Sequence, residues 1–343
     1  MGSRTTPLDA ERGAILITGG AGYIGSHAAK ALAGAGRTPV VYDDLSAGHR
    51  GAVRWGQLVV GNIHDEARLR DTIRRFGVTS VMHFAALASV GDSVRDPAAY
   101  YQANVEGSLC LLRAMRAESV HRVVFSSTAA VFGEPMERPI TEAHPTRPIN
   151  PYGETKLVIE RALASFDAAY GLRYVVLRYF NAAGADPDGE LGEDHRPEDH
   201  LVPIAIDAAL GRRTLQVYGD DYPTPDGTCL RDYIHVSDLA RAHLSALDRL
   251  ETRGESGVYN LGNGRPFSVK DVIAAVERVG GLRVPWTVAP RRPGDPAVLF
   301  TSSARIRDEL GWEPEISSLD AIVKTAWQWR VSHPHGFEEG GSR

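Results

Sequence analysis

Tyr152 and Lys156 stand four residues apart in the stretch Asn150-Pro151-Tyr152-Gly153-Glu154-Thr155-Lys156. Four residues is about one helical turn, so a phenol and an ammonium would share a face. A positive charge beside a phenol favours the phenolate, and a group with an ordinary pKa of about 10 becomes a candidate base near neutral pH. Alone the pair is a weak signal, because this spacing recurs on solvated helices. A second constellation gives it meaning. Gly19, Gly22 and Gly25 are spaced by three in Thr18-Gly19-Gly20-Ala21-Gly22-Tyr23-Ile24-Gly25-Ser26-His27, after the apolar run Ala14-Ile15-Leu16-Ile17 and before a helix-like segment at 28–35. Glycines where a strand becomes a helix permit a tight turn and let backbone amides approach a pyrophosphate. A second apolar run, Pro39-Val40-Val41-Tyr42, ends in Asp43-Asp44. An acid there can accept hydrogen bonds from a ribose 2′-hydroxyl and would repel a 2′-phosphate, which points to NAD rather than NADP.

These groups need a frame, and the pattern supplies one. Strand-like runs at 58–61, 80–85, 122–127 and 173–179 alternate with segments of helical periodicity at 66–75 and 104–116. Alternation of that kind predicts a Rossmann-type, doubly wound parallel sheet covered by helices on both faces, with ligands gathered beyond the strands' carboxyl ends. Those ends carry Asn62-Ile63, His83-Phe84-Ala85-Ala86, Ser126-Ser127-Thr128 and Phe180-Asn181. After Asn181 the texture changes: 182–200 reads as an acidic loop, and the rest mixes short strands and helices. The expected organisation is a flexible polar arm at 1–12, a cofactor domain at 13–180, and a smaller mixed α/β substrate lobe at 181–343 that returns some segments to the first sheet.

Composition narrows the function. The chain has 343 residues, 43% hydrophobic and 24% charged, with a net charge of −5. That is ordinary for a globular enzyme, and with no basic stripe it argues against a nucleic-acid partner. No apolar run reaches membrane-spanning length and no charged-then-apolar leader opens the chain, so no membrane partner is expected. Cys110 and Cys229 lack metal-like spacing, which suits a reducing cytoplasm.

Taken together, the segments 18–27, 126–133, 150–156, 177–181 and Arg231-Asp232-Tyr233-Ile234-His235-Val236 closely resemble the UDP-glucose 4-epimerase family, within the extended short-chain dehydrogenases/reductases. The similarity runs in consistent order from about Ala14 to beyond Leu310. The resemblance implies NAD as a retained cofactor. It places Gly19, Gly22, Tyr23, Ile24 and Gly25 at the pyrophosphate, and Asp43, Asp44, Leu45, Ser46, Ala47 and Gly48 around the adenosine ribose. Asn62 and Ile63 would flank the adenine, Phe84, Ala85, Ala86, Leu87 and Ala88 would pass beneath the cofactor, and Asn104 would meet the nicotinamide end. Thr128 joins Tyr152 and Lys156 as the catalytic set. Phe180 begins the substrate side, where Asn181, His200, Leu201, Tyr218, Arg231, Arg292, Asp295 and Leu299 would hold a UDP-sugar. The relatives often pair, so a homodimer is expected.

The implied reaction is oxidation at the sugar's C4, turnover of the 4-keto sugar, and reduction on its other face, with UDP-galactose and UDP-glucose as the leading pair. UDP-pentoses and UDP-N-acetylhexosamines are the substrate alternatives, and a non-catalytic dinucleotide sensor is the alternative class. Related dehydratases place an Asp-Glu pair directly after the active-site threonine, and decarboxylases usually keep the glutamate. Here those positions are Ala129 and Ala130, which cannot exchange protons. Three positions depart from common family patterns: Ala88 replaces a lysine, Asn62 an aspartate, and Leu299 occupies a variable sugar-side position. The acidic run Asp186, Asp188, Glu190, Glu193, Asp194, His195, Glu198, Asp199 and His200 matches no metal signature and reads as a solvated loop, with no metal expected. His83 and His235 read as hydrogen-bonded structural histidines.

Overall fold

A computed structural model describes residues 13–292 and 295–337; the arm expected at 1–12 lies outside the described residues. The strands are β1 (Ala14–Thr18), β2 (Pro39–Asp43), β3 (Gln57–Val60), β4 (Val78–His83), β5 (Arg122–Thr128), β6 (Arg173–Tyr179), β7 (Asn181–Ala183), β8 (Leu215–Tyr218), β9 (Leu230–His235), β10 (Gly257–Leu261), β11 (Pro266–Ser268), β12 (Trp286–Ala289) and β13 (Val298–Leu299). The helices are α1 (Tyr23–Gly34), α2 (Glu66–Phe76), α3 (Val90–Arg95), α4 (Pro97–Tyr100), α5 (Gly107–Ala117), α6 (Pro151–Tyr170), α7 (Leu201–Ala209), α8 (Val236–Thr252), α9 (Val269–Gly280), α10 (Ala304–Leu310) and α11 (Leu319–Ser332).

Seven parallel strands form the main sheet in the order β10-β6-β5-β4-β1-β2-β3. Strand order reverses between β1 and β4, and that switch point opens the crevice where α/β sheets bind ligands. Both faces of β1 are buried, which is why it reads as a continuous apolar run. Ile15 and Ile17 pack with α1 and α8 on one face, whereas Ala14 and Leu16 pack with α2, α5 and α6 on the other. A second sheet joins β11, β9 and β13, with β7 also on β9, and β8 pairs with β12. Helices α7, α9 and α11 cover this side around Val202, Ile206, Val272 and Ile322.

Boundaries differ from the sequence reading at informative places. α1 begins at Tyr23 rather than near Ala28, so the loop after β1 is shorter than expected. β4 stops at His83, because the amides of Phe84 and Ala85 both turn to the Thr18 carbonyl, at 2.9 and 3.0 Å. The periodic stretch at 104–116 does not start as an α-helix. A π-helical segment, Tyr101–Glu106, links α4 to α5 and turns Asn104 fully inward. Among the described residues, no helix is long and apolar enough to cross a membrane.

Candidate active site

The carboxyl ends of β1, β2, β4 and β5 meet at the switch point. Gly19 turns the chain with φ +72°, and a Cβ there would stand 2.5 Å from Ala85 N. Only glycine lets this loop lie against the turn after β4. Gly22 is the extended N-cap of α1, and no side chain caps the helix, so the amides around Tyr23, Ile24 and Gly25 have no side-chain partner. Asp43 ties this loop to the one after β2, its carboxylate accepting from Ala21 N at 2.9 Å and Leu45 N at 2.8 Å. Burial raises its pKa, and the two amides oppose that. Gly48 packs on Ala21, while Ala47 is exposed. Asp44 is also exposed and holds the Ser46 hydroxyl and the Asn62 amide, at 2.6 and 3.0 Å. Ile63 is half-buried against the core.

The turn after β4 is fixed from two sides. Phe84 lies against His243, with ring centroids 4.6 Å apart. Asn104 accepts from Leu87 N at 2.8 Å, donates to Leu87 O at 3.1 Å, and donates to Thr155 Oγ1 at 3.1 Å. Ala86 and Ala88 flank Leu87 on the open side of this turn.

β5 and α6 bring the reactive trio together. Asn150 caps α6 by accepting from Gly153 N at 2.9 Å, and Pro151 follows in the first turn, so this polar-then-proline stretch starts the helix that carries Tyr152 and Lys156. A Cβ on Gly153 would stand 2.5 Å from Ala130 O, so glycine allows the first turn of α6 to press on the end of β5. Tyr152 then shares a hydrogen bond with Thr128, and the Tyr100 ring meets it edge-on at 6.4 Å. Lys156 Nζ donates to Ser126 O at 2.9 Å and lies 5.9 Å from the centre of the Tyr152 ring.

The electrostatics correct one expectation. Lys156 was expected to draw the Tyr152 pKa down, but burial dominates and holds the phenol well above its ordinary value, with only the Thr128 hydrogen bond opposing. Burial also lowers Lys156 to about 7, with Glu160 pulling it back. Both charged forms are disfavoured by the same desolvation.

The facing wall comes from the second lobe. Phe180 is buried with Val131, Phe132, Ile140 and Leu157, and Leu299 packs on this group from β13. Asn181 donates to Asp232 O at 2.8 Å. Arg231, paired in register with Leu299, forms a close ion pair with Asp295. Arg292 places its guanidinium 3.9 Å over the Tyr218 ring. His200 is the N-cap residue of α7, and Leu201 begins that helix.

Several participants have no simple sequence signal. Glu160 receives Arg178 through bonds of 2.6 to 3.2 Å and the Ser127 hydroxyl at 2.6 Å, all buried behind Lys156. Glu160 sits one turn beyond Lys156 on α6, but its partners Ser127 and Arg178 come from β5 and β6, which helical spacing does not reveal. Ser126 offers its carbonyl to Lys156 and its hydroxyl to Tyr179. Asp232 accepts from the amides of Asn263, Gly264 and Thr301, yet burial still raises it to about 7. His83 bonds Thr18 and Ser108, and His235 bonds Thr325 and the Ser237 amide, which are structural roles.

The acidic segment is not the solvated loop expected. Residues 181–183 form β7, and Asp186, Glu193 and Asp194 are buried. Lys30 on α1 reaches Asp186, Asp188 and Glu190 at 2.7, 2.7 and 2.8 Å, and the Tyr23 hydroxyl donates to Gly184 O at 2.7 Å. Opposite charge drawn from a distant helix lets the acids fold inward, which spacing along the chain cannot reveal.

Comparison with known proteins agrees with this geometry. Residues 15–262 match the NAD dependent epimerase/dehydratase family. The UDP-glucose 4-epimerase of Halalkalibacterium halodurans is 51% identical over 94% of this chain and 97% of its own. The crystal structure of UDP-glucose 4-epimerase from Brucella ovis in complex with NAD is similar with a TM-score of 0.90 and 53% identity, covering 92% of this chain and 97% of that one. The UDP-glucose-4-epimerase of Stenotrophomonas maltophila, with bound NAD and formylated UDP-arabinopyranose, is similar with a TM-score of 0.91 and 39% identity, over 94% and 99%. A match across most of the chain places this protein in the NAD dependent epimerase/dehydratase family.

Proposed function

We propose that the protein is a UDP-sugar 4-epimerase that interconverts UDP-galactose and UDP-glucose with a retained NAD. The observation carrying this reading is the meeting of Thr128, Tyr152 and Lys156 at the carboxyl end of β5, on the same edge of the parallel sheet as the glycine loop after β1. Relatives of about half-identical sequence that bear the epimerase name support it. The residues present fit a dinucleotide: a loop that tolerates no Cβ at Gly19, an uncapped helix N-terminus at Tyr23, and a buried acid at the end of β2. In this reading Gly19, Gly22, Tyr23, Ile24 and Gly25 hold the pyrophosphate, Asp43 through Gly48 surround the ribose, and Asn62 and Ile63 flank the adenine. Phe84 through Ala88, Asn104 and Phe180 line the remainder.

When bound at these residues, nicotinamide would supply the redox chemistry, a reversible hydride exchange with the sugar's C4. Tyr152 takes the proton of the 4-hydroxyl, and Thr128 holds the sugar oxygen. Burial opposes a phenolate, so Lys156 acts with the cofactor's positive ring to offset that cost. Arg231 and Arg292 hold the diphosphate through guanidinium forks, and Tyr218 meets the uracil. Asn181, His200, Leu201, Asp295 and Leu299 complete the sugar and phosphate contacts. Ala129 and Ala130 bring no carboxylate beside Thr128, which disfavours dehydration and decarboxylation. The proposal includes pairing of two copies across the helix formed by α5, a cytoplasmic setting, and a place in galactose metabolism.

The test is incubation of purified protein with UDP-galactose, without added NAD, followed by proton NMR of the anomeric signals. UDP-glucose should grow to equilibrium with no persistent keto product. No conversion of UDP-galactose, even with saturating NAD, would overturn the hexose assignment. UDP-pentose turnover under those conditions would reassign the sugar, and silence with every UDP-sugar would point to the sensor class.

A further inference from the structure

The segment between β7 and α7 contains a second constellation, of which the epimerase reading uses only His200. Glu193, His195, Glu198 and His200 are spaced as Glu-x-His-x-x-Glu-x-His. One potential ligand atom from each of the four lies within 4.8 Å of the others. His195 Nδ1 stands 3.1 Å from Glu193 Oε1 and 3.7 Å from Glu198 Oε1. Four ligands about 2.1 Å from a tetrahedral centre stand about 3.4 Å apart, so these two separations bracket the metal-bound value.

Burial supplies an independent observation. The Glu198 side chain is only 5% exposed. Its Oε1 accepts from the amides of Asp199 and His200, both at 3.1 Å, but its Oε2 is buried without a hydrogen bond. His195 Nδ1 is likewise buried and aligned with neither carboxylate for hydrogen bonding. An unmet carboxylate oxygen and an unmet ring nitrogen in one pocket are costly to an empty fold, and one cation satisfies both. Glu193, also buried, bonds the His200 ring through the oxygen that faces His195.

The other acidic knot shows the contrast. Asp186, Asp188 and Glu190 also converge, but the Lys30 ammonium already lies among them. No lysine or arginine ion pair of that kind closes the Glu193 group among the described contacts.

We propose that Glu193, His195, Glu198 and His200 form a structural site for a first-row divalent cation, zinc foremost. Two imidazoles with two carboxylates suit zinc's borderline character, and two carboxylates balance its charge. Four protein ligands leave no open position, so the ion holds structure and performs no chemistry on substrate. The place is strategic. The His195 ring meets Tyr23, the first residue of α1, edge-on at 6.2 Å, and His200 leads directly into α7. One ion would lock the long connection between the helix that follows the glycine loop and the helix that opens the second lobe.

The test uses full-length, tag-free protein with its native cofactor, stripped with EDTA, incubated with zinc chloride, desalted and measured by elemental mass spectrometry. Wild type should retain about one zinc per chain and melt several degrees higher than the stripped protein. The double variant His195→Ala, Glu198→Gln should retain at least about tenfold less zinc and show no zinc-dependent rise. X-ray absorption at the zinc edge of the wild type should show nitrogen and oxygen ligands including imidazole, a readout that does not depend on the variant folding. Retention near zero by wild type, equal retention by the variant, or a sulfur shell would each overturn the proposal.

Discussion

Tyr152 sits in a place that penalises the charge its reaction requires. Its phenol is buried, its pKa is held up by desolvation, and the nearest ammonium lies 5.9 Å from its ring centre. Such a site is inert until a positive charge and an oxygen to deprotonate arrive together, which restricts proton transfer to the complete complex. Phenylalanine fills the same volume and removes only the hydroxyl shared with Thr128. Tyr152→Phe should therefore fold and retain its dinucleotide as wild type does, while kcat for UDP-galactose falls by about 10²–10⁴, the usual worth of positioned acid-base catalysis. Coupled assay of UDP-glucose formation and equilibrium UDP binding separate the two effects. An unchanged kcat would remove Tyr152 from proton transfer, and a proportionate loss of UDP affinity would make it a binding residue instead.

Asn104 shows how an element can hold a site it does not touch chemically. The π-helical turn Tyr101–Glu106 directs its amide inward, where it satisfies both backbone groups of Leu87 and reaches Thr155 one helical position before Lys156. Asn104→Ala would leave the Leu87 amide and carbonyl without this partner, a loss of about 1–3 kcal/mol because Leu87 is exposed and water takes up part of the bonding. The expected result is a lower urea midpoint and a reduced ratio of 260 to 280 nm absorbance, reporting lost dinucleotide. Unchanged values for both would show that the turn after β4 holds itself. The sequence reading placed β1, β2 and β6 well, because continuous apolar runs are local signals. It misplaced the start of α1, the end of β4 and the π-turn, since each depends on a partner distant in the chain. The trio Thr128, Tyr152 and Lys156 was legible from spacing and resemblance. The Glu160–Arg178–Ser127 network, the Asn104 clamp and the inward fold of the acidic segment arise from tertiary pairing that no local pattern encodes.

Across the whole molecule, the chain passes repeatedly between its two sheets. β6 continues through Phe180 into β7, β9 leads directly into α8 against the main sheet, and β10 returns to that sheet's edge. Four buried histidines sit on these and neighbouring elements: His27 on α1, His83 at the end of β4, His235 at the end of β9 and His243 on α8. Burial lowers them from 6.5 to about 4, 3, 4 and 4. Below pH 6.5 the unfolded chain takes up these protons while the native state refuses them, so stability falls as pH drops toward about 4. Asp232, raised to about 7 by burial, binds its proton earlier in the native state and offsets one of the four in the same window. In the metal-free chain His195 and His200, held above 6.5 by their glutamates despite burial, keep their protons while the unfolded chain takes them up through pH 6.5. They therefore oppose the loss there and confine the steep slope to below about pH 6. Roughly three net protons remain, worth about 4 kcal/mol per pH unit at the steepest point, a large share of a typical folding free energy of about 5–15 kcal/mol. Urea unfolding at pH 7, 6 and 5 should thus show a steep, single-step loss of stability in both far-UV circular dichroism and tryptophan fluorescence. His243→Phe tests the cause, since its imidazole already lies against Phe84 and its Nδ1–H donates to the Leu239 carbonyl of its own helix. That substitution should flatten the slope by about one proton, and an unchanged slope would remove His243 from the acid response.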